Sequence, residues 1–128
     1  MIIKIMNRRG AIFFMALFLM LCTVSCRTAD ERTARDLAGR IVPEYSGRIC
    51  FEQTEDTVDV FELISKGNKL IIRGNNANSM AVGLNYYLKN FCNVTVSWHV
   101  FDPVQYPPQM PKVEVPVRVE AKVKDRFF

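Results

Sequence analysis

The chain has 128 residues, enough for one domain, and a formal net charge of +4. Its first 26 residues hold three of the 17 basic side chains and none of the 13 acidic ones, which leaves the remainder at +1. That balance excludes the basic face needed for nucleic acid. Beyond those 26 residues, two cysteines and one histidine without close ligand spacing argue against a metal centre, and no motif calls for a cofactor.

Lys4, Arg8 and Arg9 precede Ala11–Leu21, an unbroken apolar run of 11 residues. A membrane span needs about 20 such residues, so the run reads as the hydrophobic part of a signal peptide. Leu21-Cys22-Thr23-Val24-Ser25-Cys26 follows and resembles a bacterial lipoprotein box. Small residues precede Cys26, the expected lipidation site, although Thr23 stands where Leu is usual. Residues 1–26 are thus expected to be removed on export. The protein would then be held to a membrane of the cell envelope by acyl chains, of which two or more make a stable anchor.

Thr28-Ala29-Asp30-Glu31 fits a capping box. Ala34, Leu37, Ala38 and Ile41 then recur on one helical stripe, and Pro43 ends that helix. Ile49–Gln53 is a short strand with Ile49 and Phe51 on one side. Thr57–Ile64 is a second strand, with Phe61 and Leu63 facing away from Val58, Val60, Glu62 and Ile64. Ser65-Lys66-Gly67-Asn68 is a hairpin turn in which Gly67 or Asn68 takes positive φ. Lys69–Arg73 returns as a strand that is apolar on both faces, hence central.

Gly74–Asn78 turns into a helix capped by Asn78 or Ser79. Ala81, Leu84, Leu88 and Phe91 form its apolar stripe, widened by Tyr87, and Gly83 lets it approach the sheet closely. Val94–Trp98 reads as a fourth strand. Pro103 to Pro111 holds four prolines in a rigid extended connection. From Val113 to Val123 apolar residues alternate around Pro116, as in an edge strand or an extended linker. The sum is an α+β fold: a small, mostly antiparallel sheet covered by two helices, a two-layer sandwich. Cys50 and Cys92 are left either as a disulfide or as two buried free thiols.

Part of this pattern has a family likeness. Ile72-Arg73-Gly74-Asn75-Asn76, then Ser79 to Lys89 with its Gly83-Leu84-Asn85-Tyr86-Tyr87-Leu88, then Phe91-Cys92 and Val96-Ser97-Trp98 resemble the N-terminal accessory domain of the alpha-N-acetylglucosaminidases of glycoside hydrolase family 89. Pro107, Pro108 and Pro111 resemble the proline-rich stretch after it. Asp125-Arg126-Phe127-Phe128 looks like the approach to that family's catalytic barrel. The resemblance implies a non-catalytic domain packed beside a (β/α)₈ barrel that removes terminal α-linked N-acetylglucosamine with retention. Retention requires two carboxyl groups about 5 Å apart, and in the family they lie on the barrel. It divides the chain into a leader (1–26), an accessory domain (27–102) and a connection (103–128) toward a barrel. It also implies a truncated or split product that meets glycan only indirectly. The alternative is a free-standing envelope lipoprotein that binds glycan or a protein partner.

No catalytic residue is expected. Glu52, Glu55, Asp56, Asp59 and Glu62 form a dense acidic group, read as solvated strand faces and a turn. His99 reads as structural or surface, and Trp98 as core in preference to a sugar platform. Gly74–Asn78 lacks the lysine and repeated glycines of a phosphate loop, and the sequon Asn93-Val94-Thr95 reads as chance.

Overall fold

The computed structural model describes residues 27–97 and 104–122. Helix α1 (Ala29–Ile41) begins at the expected capping box. The Thr28 hydroxyl accepts the Glu31 N–H at 3.2 Å, and the Glu31 carboxylate accepts the Thr28 N–H at 3.2 Å. The second Glu31 oxygen accepts the Gln53 N–H at 2.9 Å, so the cap also fixes the helix to the sheet. Ala34 and Ala38 are fully buried on its inner stripe. Pro43 stops α1 and opens the single-turn helix α2 (Pro43–Ser46), where its missing N–H costs nothing.

Four strands follow the order β1-β3-β2-β4: β1 (Ile49–Gln53), β2 (Val60–Lys66), β3 (Lys69–Gly74) and β4 (Val117–Glu120). β1 runs parallel to β3, while β2 is antiparallel to both β3 and β4. The α+β class and the central place of Lys69–Arg73 hold. β2 begins at Val60, not Thr57, because its partner strand β3 ends opposite Phe61, at Gly74. The ladder also runs through Lys66 and Lys69, which leaves the two-residue turn Gly67-Asn68. Gly67 takes φ +60°, a conformation open to glycine without strain.

Helix α3 (Ala77–Asn90) is capped by Asn76, two residues before Asn78 and three before Ser79. Asn76 is extended at φ −153°, and its Oδ1 accepts the Ser79 N–H at 2.8 Å. Burial along α3 falls on Met80, Gly83, Leu84, Tyr87 and Leu88, whereas Ala81 and Phe91 are only partly buried. A Cβ at Gly83 would stand 3.0 Å from Ile72 Cγ2 and 3.2 Å from Phe61 Cβ. The close approach offsets the roughly 1 kcal/mol that glycine costs in a helix.

Val94–Ser97 do not form the expected strand. Asn93 takes φ 55°, and the Val94 N–H bonds the Leu88 carbonyl at 2.9 Å, so these residues turn off the helix end. Val94 is buried in the core and not in a ladder. Val113–Glu120 does supply an edge strand, starting just beyond Pro116.

One cluster joins the layers. Ile49, Phe51, Phe61, Leu63, Leu70 and Ile72 on the inner sheet face meet the buried faces of α1 and α3. Three tyrosine hydroxyls strap the proline-rich segment to this core. Tyr45 donates to the Pro107 carbonyl, Tyr87 to that of Pro111 at 2.5 Å, and Tyr106 to that of Ile41 at 2.5 Å. Val113 is itself a core residue, and its N–H donates to Ser65 Oγ at 2.8 Å. Cys50 is half-buried, Cys92 is buried, and both are free thiols.

Candidate functional site

The outer sheet face gathers three of the five acidic residues singled out in the sequence, Glu52, Asp56 and Glu62. Side chains alternate along a strand, and the pairing places Glu52, Arg73, Glu62 and Arg118 in one row across all four strands. Charges alternate along this row. Arg73 Nε donates to Glu52 at 2.7 Å, and its Nη1 lies 3.9 Å from Glu62. Arg118 donates to Glu62, and at 3.1 Å to both Asp56 and Glu120. The Glu52 carboxylate raises the pKa of Arg73, and Glu62, followed by Asp56 and Glu120, raises that of Arg118.

A glycosidase acid must keep a proton near neutral pH, which takes burial or a like charge. Guanidinium partners favour the ionised carboxylate, the opposite requirement. The row therefore serves as the water-facing side of a sheet covered on one face only. Asp59 stands apart from it and receives the Asn76 amide at 2.9 Å and the Asn75 amide at 3.3 Å. Glu55 is exposed. The arginines were not legible as partners, since Arg73 and Arg118 meet the acids only through strand register.

The Gly74–Asn78 segment is also consumed by structure. Asn75 Oδ1 accepts the Ser79 hydroxyl at 2.7 Å and the Val60 N–H at 3.3 Å. The Asn75 carbonyl accepts the Gln53 amide at 3.0 Å. One turn thus joins β1, the start of β2 and the start of α3, and its polar atoms do not open into a phosphate cradle.

A concavity lies on the helix side of the sheet. It is a notch of about 100 Å³ between α3 and β4, walled by Val82, Val119, Phe61 and Ala121 among others. Among the described residues no group of three or more His, Cys, Asp or Glu side chains is placed to hold a metal ion. No helix among them is long and apolar enough to cross a membrane. Cys26, Trp98 and His99 lie outside the described residues, as do Asp125–Phe128.

Residues 32–112 match the alpha-N-acetylglucosaminidase (NAGLU) N-terminal domain. The chain belongs to this family. It is similar to CpGH89 of Clostridium perfringens, solved as a doubly substituted form with its substrate GlcNAc-alpha-1,4-galactose. The TM-score is 0.70 at 34% identity, over 76% of this chain and 11% of that one. A family 89 glycoside hydrolase of the same organism in complex with PUGNAc superposes at TM-score 0.67 and 33% identity, over 76% of this chain and 12% of that one. The complex with 2-acetamido-1,2-dideoxynojirmycin gives 0.69 and 29%, over 88% of this chain and 14% of that one. The NAGLU N-terminal domain thus spans about one eighth of the glycosidase chains it matches. No curated protein matches it.

Proposed function

We propose that the chain is the non-catalytic N-terminal domain of an exported, lipid-anchored alpha-N-acetylglucosaminidase, where it braces the barrel that hydrolyses terminal α-linked N-acetylglucosamine. The observation that carries this reading is the family match combined with the pairing of the outer-face carboxylates. A domain with this ancestry pairs Glu52, Asp56 and Glu62 with arginine, and its polar turn is spent on internal bonds. Its contribution is a rigid, tyrosine-strapped surface beside the catalytic portion.

The purified chain is expected to release no aryl alcohol from an aryl α-N-acetylglucosaminide, whereas a full-length family member does. Turnover by the chain at a rate proportional to its concentration, surviving repeated purification, would sink the reading. The anchor rests on Cys26 and the small residues before it. In a bacterial host fed labelled palmitate, the chain should take up label and fractionate with membranes. Cys26→Ser should abolish both, and a Cys26→Ser chain that stays acylated overturns the anchor.

A further inference from the structure

We infer that the apolar notch between α3 and β4 is where the catalytic portion of the enzyme docks on this domain. The inference rests on the proposed function and adds the face that is used. The helix layer is incomplete: α1 packs on β1, and α3 packs on β3 and β2, while neither makes a comparable contact with β4. The inner side of β4 is therefore only partly covered: Val117 packs against the core and Val119 stands open. Val119 on β4 is 38% exposed and Val82 on α3 is 48% exposed, and both wall the same notch above the buried Phe61.

The opposite sheet face makes a poorer dock, because its row of alternating Glu and Arg is already paired and suited to water. The notch also makes a poor sugar site. Sugars stack on exposed rings, and the one aromatic in its wall, Phe61, is only 5% exposed.

Chain continuity names the occupant. The described chain leaves the sheet through Ala121, which lines the notch, and Lys122. In the Clostridium perfringens glycosidases the matching part is 11–14% of the polypeptide, so the bulk of those enzymes lies outside such a domain. A partner tethered at the wall of the notch acts at high effective concentration, so a small apolar contact suffices where a free partner would need a much larger one. The occupant is then an apolar side chain of the catalytic portion, entering beside Val82 and Val119 under the acidic rim of Asp59 and Glu120.

The test fuses the full chain to the Clostridium perfringens enzyme in place of its matching segment, and melts the fused enzyme and the free chain in parallel. Val82→Lys and Val119→Lys should leave the free chain nearly unchanged, because both sites are exposed and lysine suits an edge strand. The same substitutions should lower the midpoint of the fused enzyme by roughly 3 °C or more. Val115→Lys, at another exposed apolar site outside the notch, should do neither. Equal midpoints for substituted and unsubstituted fused enzymes overturn the inference. So does a specific loss from Ile71→Lys on the outer face, which would move the interface and leave the proposed function standing. A free chain that sediments as a dimer and becomes monomeric with Val119→Lys assigns the notch to a second copy and also overturns it. A fused enzyme no more stable and no more active than the enzyme lacking the segment overturns the proposed function itself.

Discussion

Strands β3 and β4 are built alike and end in different surroundings. Both are ladder-bonded to β2, and both turn two apolar residues to the inner face, Leu70 and Ile72 in β3, Val117 and Val119 in β4. In β3, Leu70 and Ile72 are sealed beneath the helix layer and every outer neighbour is paired. In β4, Val117 is half-buried, Val119 is open and neither helix packs closely on the strand. A strand forms wherever a ladder partner is available, whereas a core forms only where a second layer covers it. The difference marks β3 as the covered centre of the sheet and β4 as its open margin.

The covered side should fail hardest. Tyr87 is completely buried on α3, stacks on Phe91 and holds the Pro111 carbonyl. Tyr87→Ala is expected to cost about 3–5 kcal/mol through the cavity it leaves, read as a shift in the urea midpoint. Tyr87→Phe keeps the ring and strands a carbonyl, for about 1–3 kcal/mol. If Tyr87→Ala costs no more than a change in β4, the contrast between covered and open strands is lost.

Gly83 tests the same seam from the other direction. Gly83→Leu must push against Ile72 and Phe61, and overpacking of this kind costs about 1–3 kcal/mol. A neutral result would mean that α3 can lift off the sheet without penalty.

Alkaline titration sharpens the comparison by chemistry. Burial pushes the Cys92 thiol and the Tyr87, Tyr45 and Tyr106 hydroxyls up from their ordinary values. All four lie on the helix side or its tyrosine straps, and β4 holds none. A raised folded pKa means that the folded state keeps a proton the unfolded chain gives up. Stability from Cys92 is thus whole below the unfolded thiol value of about 8.5 and is lost as pH rises through the folded value. The tyrosines follow from about pH 10 upward. The melting midpoint should be level from neutral pH to about 8.5 and fall beyond it, and Cys92→Ala should delay the first part of the fall. A midpoint that rises with pH over this range would contradict the burial of these groups.

What was legible in the sequence follows the same division between local and distant causes. Thr28 and Glu31 sit three residues apart and cap each other, so α1 could be read from its first four residues. β1 was read residue for residue, and Gly83 was correctly assigned to close packing. Capping of α3 was harder. Asn75, Asn76 and Asn78 are equally good caps by type, and the choice fell to Asn76 because Asn75 is drawn away to Val60 and Ser79. Val94 and Val96 show the alternation of a strand, but they pair with no strand among the described residues, and the φ of Asn93 folds them under the helix end. Arg73 and Arg118 were invisible as partners of the acidic residues because strand register is a property of the folded sheet. The notch was unreadable for a related reason, since periodicity shows which side of a strand is apolar but not whether anything covers it.

The smallest expected effect is the most pointed test of that statement. Val119→Thr keeps β-branching and so keeps the strand preference. At a site 38% exposed, at the open side of the notch, the added hydroxyl reaches water. The free chain should change by no more than about 0.5 kcal/mol. Ile72→Thr, two strands away on the same inner face, removes packing and buries a hydroxyl beneath α3 at a site with no exposure, for about 2 kcal/mol or more. Urea unfolding of the two variants under one set of conditions decides the matter. Equal losses would mean that β4 is already covered in the free chain, and the open margin on which the docking face depends would not exist.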